Sequence, residues 1–148
     1  MDELATGAFA GAVGTAALDA IEPIERALIG GEPPFAPRVL ARRLLEMAGL
    51  DADAASAKLV GNLLQWSYGP GLGIAYALAK RGRRQVGSEA RNSLLLAGAI
   101  LGFEVFALPA IVGRKQFLRP RVLGGLLLHV ATFSAVAVAV DTLFGSRD

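Results

Sequence analysis

The chain has 148 residues, 53% of them hydrophobic and only 19% charged, with a formal net charge of +2 and a mean hydropathy of +0.48. That length fits one domain, and the shortage of charge against the roughly 25% of an ordinary soluble domain points away from a water-soluble fold. Cysteine is absent, which excludes disulfides and thiolate metal sites, and the modest basic excess sits in loops, so no nucleic-acid partner is expected.

The charges cluster at the start, at 22–58, at 80–91, at 114–121 and at the end, and four apolar blocks lie between them. This layout predicts an all-α polytopic membrane protein. The expected form is a single domain of about four transmembrane helices, near 4–22, 54–80, 91–112 and 121–144. A short amphipathic interfacial helix near 37–49 separates the first two. The N-terminus opens Met-Asp-Glu with no basic stretch ahead of the apolar run, so the first block is expected to stay on the mature protein.

In the first block, Gly7, Gly11, Thr15 and Asp19 recur every four residues and share a helix face. A small-residue seam of that kind packs against another helix in lipid. Asp19 either reaches for headgroups at the helix end or stands as a buried acid paired across the bundle. Residues 22–36 hold Glu22-Pro23, Gly30-Gly31 and Pro33-Pro34, breakers that predict a loop. Pro37 then opens a helix that Gly49 ends. Its Arg38, Arg42 and Glu46 share a face opposite Val39, Leu40, Leu44 and Met47, which suits a helix lying in the interface or against the protein's own loops.

Asp51-Ala52-Asp53 offers N-caps for the next helix. Leu59 to Ala79 runs 21 residues without a formal charge, long enough to cross a bilayer, and is read as the central span. Asn62, Gln65, Trp66, Gly69, Gly73 and Tyr76 fall close to one face, expected to be where the other helices meet. Gly69-Pro70-Gly71 is expected to kink the helix, either for packing or as a binding notch. The basic run Lys80 to Arg84 suits anionic headgroups.

In the third block Glu104 is the lone charge, near the middle, so it is expected to be protonated, paired or facing a wet cavity. Gly98 and Gly102 make another seam, and Pro109 is expected to bend or end the helix. In the fourth block Gly125, His129, Thr132 and Val136 share a face. One histidine cannot by itself make a metal site and the usual zinc spacings are missing; axial ligation of a haem needs only one imidazole, but nothing else in the sequence supports it, so neither metal nor cofactor is expected. The polar candidates inside the blocks are therefore Asp19, Gln65, Tyr68, Glu104 and His129, with no catalytic residue among them. Orientation leans toward the amphipathic-helix side being cytoplasmic.

The glycine-rich first helix GAFAGAVGTAALDAIE, the Trp66-Ser67-Tyr68-Gly69 element, the LPA at 108–110 and the LLLH of the fourth helix resemble the small bacterial inner-membrane proteins of the YagU type. The resemblance covers most of the chain and implies a multi-pass inner-membrane address without implying a reaction. It also implies a histidine just ahead of the Tyr-Gly element, where this chain has Gln65. A polar pair between that position and the fourth helix would be Gln65–His129 here.

Three functions are weighed. The first is a structural, accessory or self-associating membrane subunit, in a homo-oligomer or a larger complex, with the lipid bilayer as its surroundings. The alternative is a transporter or channel component, or a proton-responsive protein, using Glu104 and His129. An enzyme is not expected, because no nucleophile–base pair and no GxSxG, HExxH or phosphate-loop motif is readable.

Overall fold

The first helix, α1 (Glu3–Ile29), starts under Asp2, whose carboxylate accepts a hydrogen bond from the Leu4 amide. It does not stop near residue 22 but continues through Pro23 to Ile29, so part of the expected loop is helical. Proline removes one amide donor, and the helix is bridged across that gap by Arg26, whose guanidinium binds Glu22 one turn earlier at 2.5 and 3.0 Å. The helix ends where the chain can turn left-handed, at Gly30 with φ 80°, whose N–H bonds the Arg26 carbonyl.

This computed structural model describes residues 2–81, 89–113 and 117–145, and it is all-α. After α1 come α2 (Pro37–Met47), α3 (Ala54–Arg81), α4 (Glu89–Val112) and α5 (Pro120–Phe144). Pro37 and Pro120 occupy first-turn positions, where the missing amide costs nothing. Asp53 caps α3 by accepting from the Ser56 amide at 2.6 Å. Neither Gly69-Pro70-Gly71 nor Pro109 ends its helix; α3 and α4 both run through. Parts of the basic runs near 80–91 and 114–121 lie outside the described residues.

Glycine sets how the helices stack. A Cβ at Gly7 would stand 2.5 Å from the Gly73 carbonyl oxygen and 2.8 Å from the Ala77 methyl. A Cβ at Gly11 would collide with the Gly69 carbonyl, and one at Gly73 with the Gly7 carbonyl. Positions rise along α1 as they fall along α3, so the two helices are antiparallel with their backbones in contact. The α3 stripe that faces inward is Ala57, Gly61, Gly69, Gly73 and Ala77, all buried, on a four-residue repeat whose remaining position is the half-buried Gln65. Gly61 receives the start of α2, at Pro37 and Arg38. Of the face expected to gather the helices, Gly69 and Gly73 meet α1, Gln65 reaches Asp19 and Tyr76 packs on the core, whereas Asn62 is exposed and Trp66 is 51% exposed, so those two lie outside the contact. Bulky side chains hold helices apart, whereas the glycine stripe lets α1 approach.

The other side of α1 carries α5, again antiparallel. Gly14 lies against Phe133, Ile29 against Gly125, and the Phe9 and Phe144 rings meet edge-on at 5.7 Å. Helix α4 then packs on α5 through Leu96, Ile100 and Leu108, which join Leu126, Val130 and Phe133 in the core. The four long helices thus stand in the order α3–α1–α5–α4. The ends of that row, α3 and α4, barely approach along their backbones.

Among the described residues, three helices are long and apolar enough to cross a membrane: α1, Arg91–Ile111 of α4, and α5. Helix α3 has the length but falls below them in hydropathy, diluted by Asn62, Gln65, its glycines and its charged ends.

Two outcomes follow. Gly11→Ala should destabilise the fold by about 1–3 kcal/mol through overpacking, whereas Gly71→Ala, whose Cβ meets open space, should leave it unchanged or raise it by about 0.5–1 kcal/mol. Denaturant titration in micelles, followed by circular dichroism, measures both. The Ser56 amide, and after it the Ser56 hydroxyl, hold the exposed Asp53 carboxyl below the ordinary aspartate range. The cap should therefore be complete at neutral pH and be lost only as pH falls through that lowered value. Faster amide exchange at Ser56 in acid checks it.

Candidate functional site

The helix order assigns each expected polar residue a partner, and three pairs result. On the α1–α3 seam, the Gln65 amide donates to Asp19 Oδ1 near the outer surface. The four-residue repeat of the seam brings them together: Gly7, Gly11 and Thr15 lie along α3 in turn, and Asp19 is the next position. Thr15 turns its own hydroxyl back to the Gly11 carbonyl at 3.0 Å, so it brings no free polar group to the contact.

On the α1–α5 face, His129 Nδ1 lies 2.9 Å from Glu25 Oε1. The Glu25 side chain is 4% exposed and that of His129 23%. The expected Gln65–His129 pair does not form, because α1 stands between α3 and α5 and partners each of them separately. Glu25 does not stand out in the sequence, because Glu22-Pro23 reads as a helix end. The period that brings Gly14 and Leu18 to α5, carried on past Pro23, reaches Glu25 and Ile29, and that signal is in the sequence.

Across the open end of the row, the Tyr68 hydroxyl donates to Glu104 Oε1 at 3.4 Å. Glu104 is 9% exposed, and its other oxygen, Oε2, has no hydrogen-bond partner among the described residues. The Ser134 hydroxyl of α5 is buried in the same condition. Glu104 and His129 are not bonded to each other, though they lie within electrostatic reach. Glu25, His129, Glu104 and Tyr68 come one from each long helix, in two bonded pairs.

Of the kink residues, Gly69 serves contact with α1, Pro70 lies beside Gly11, and Gly71 faces open space. No group of three or more histidine, aspartate or glutamate side chains gathers to hold a metal among the described residues. What the arrangement offers chemically is proton exchange: carboxyls, an imidazole and a phenol in dry surroundings, with one carboxyl oxygen unused.

A Tyr68→Phe, Glu104→Met double-mutant cycle should give a coupling of about 0.6 kcal/mol, the average for hydrogen bonds between membrane helices. Additive losses in micelle unfolding would show that the 3.4 Å contact does not hold α3 to α4. No family model, curated protein or solved structure matches the chain, so its functional reading rests on its own geometry.

Proposed function

We propose that this is a multi-pass protein of a bacterial inner membrane that works as a self-associating structural or accessory subunit. The observation that supports it most is the glycine seam of α4. In α1 and α3 the seam glycines Gly7, Gly11, Gly69 and Gly73 are consumed inside the chain, where the two helices meet backbone to backbone. A Cβ on Gly98 or Gly102 meets nothing within 4 Å, and both glycines are exposed. Phe106, 85% exposed, and Leu95 lie along the same side of the helix. A small-residue seam on an outer face lets a second helix approach closely within lipid.

Membrane residence is supported by the surface. Leu59, Leu63, Leu94, Phe103, Phe106 and Leu143 are all more than half exposed, and in water so broad an apolar surface is a liability. In this reading α3 is a fourth span despite its lower hydropathy. Gly69, Gly73 and Gln65 turn to α1, while Leu59, Leu63 and Trp66 face lipid. Helix α2 lies in the interface, with Ala41 against the bundle and Leu44, Met47 and Leu50 outward.

The test is association in lipid. Labelled wild-type protein in vesicles should show resonance energy transfer that rises with protein-to-lipid ratio, and Gly102→Leu should abolish it while leaving the helical content unchanged. Leu143→Ala, on α5, should not affect it. Wild-type protein that stays monomeric at every ratio overturns the reading.

A further inference from the structure

Residues 33–36 are a loop, yet all four are buried. Connecting segments ordinarily run over the surface. Here Pro33 is fully buried, and Phe35, 7% exposed, joins the core with Val122 and Leu126. The Phe35 ring meets the His129 imidazole edge-on, with centroids 5.3 Å apart. Glu25 Oε1 lies 2.9 Å from Nδ1 of that imidazole. The pair thus joins a buried carboxylate to a partly covered imidazole, with the Phe35 ring as an aromatic roof over the imidazole.

We propose that Glu25 and His129 form a proton-binding site closed by the Pro33–Ala36 segment, and that a second proton on the pair opens this roof. A carboxylate facing an imidazolium is neutral as a pair, and a neutral pair tolerates burial. In acid, hydronium gives its proton to a Glu25 oxygen, forming one O–H bond and leaving water. The imidazolium then loses the carboxylate bonded to it beside Phe35, and a charge that loses its partner is costly to keep out of water. Admitting water relieves it. The roof is built to yield: it has no helix of its own, and it is reached through Gly30-Gly31, where Gly30 takes a left-handed φ of 80°.

Other charged groups surround the site. From α1, Glu22 and Arg26 flank Glu25 and bind each other. The roof brings Glu32, which binds Arg38 of α2, and Arg38 also lies 3.8 Å from Glu22. Helix α4 brings Glu104, within electrostatic reach of His129, and α3 brings Tyr68, bonded to Glu104. On α5 itself, Arg121 lies beside Gly30. The Glu32–Arg38 pair forms an outer latch that acid also weakens, so the experiment must separate latch from site.

The chain has no cysteine, which makes single-cysteine labelling clean. Ala36→Cys reports the roof and exposed Ala48→Cys serves as reference, both in lipid nanodiscs that leave the two faces open to a water-soluble maleimide. The Ala36/Ala48 rate ratio removes the pH dependence of the thiol. The expected result is a rise in that ratio of about tenfold as pH falls from about 6 to about 3.5, because the second proton goes to a carboxyl group, a class that ordinarily titrates near about 4, after imidazole groups have taken theirs. His129→Gln and Glu25→Gln should each flatten the profile, whereas Glu32→Gln should shift its level and keep its step. Circular dichroism checks that each variant stays helical, and each of the two site variants is sufficient if the other does not fold. A flat profile in the native background overturns the proposal. So does a step that survives both site variants or disappears with Glu32→Gln, which would assign the sensing to the latch.

Discussion

The arrangement depends on backbone contact between α1 and α3. Four glycines, Gly7, Gly11, Gly69 and Gly73, let the carbonyls of one helix lie where side chains of the other would otherwise be. Lipid provides no apolar driving force between helices, so contact of this closeness is a main source of adhesion there. It also sets the register. Once Gly11 lies on Gly69, Asp19 must reach Gln65, and the start of α2 must fall on Gly61.

From that register the remaining polar groups follow in pairs, each tying two helices together. Asp19–Gln65 ties α1 to α3, Glu25–His129 ties α1 to α5, and Tyr68–Glu104 closes α3 toward α4. Each such bond is worth on the order of 1 kcal/mol in a membrane. Their larger effect is on specificity, since a slip of one helical turn would leave a buried carboxyl without its partner. The pairs differ in how closed they are. Asp19 is exposed, Glu25 is buried beside His129, and Glu104 keeps one oxygen unbonded among the described residues.

Helix α4 is the least embedded member. It leans on α5, barely approaches α3, and turns Gly98, Gly102 and Phe106 outward. The same residue type therefore plays two parts in one chain: glycine facing glycine inside the bundle, and glycine on an outer face. Spacing alone does not separate these, because a four-residue repeat has the same appearance in either place.

The pattern of apolar blocks and charged breaks determined that the chain is all-α, and it located the helices α2, α3, α4 and α5 closely. It also picked out Asp19, Gln65, Tyr68, Glu104 and His129 as polar groups within apolar surroundings. Helical period reveals which residues share a face, but not which neighbour that face meets. Only the tertiary structure decided that Gln65 bonds Asp19 and that His129 bonds Glu25, because it places α1 between α3 and α5. Only there does α1 continue past Pro23, since the Glu22–Arg26 bridge and the α5 contacts outweigh one missing hydrogen bond. The burial of Pro33–Ala36 is likewise a tertiary fact. Proline and glycine specify a turn locally, and whether a turn faces water depends on the cavity that other helices leave for it.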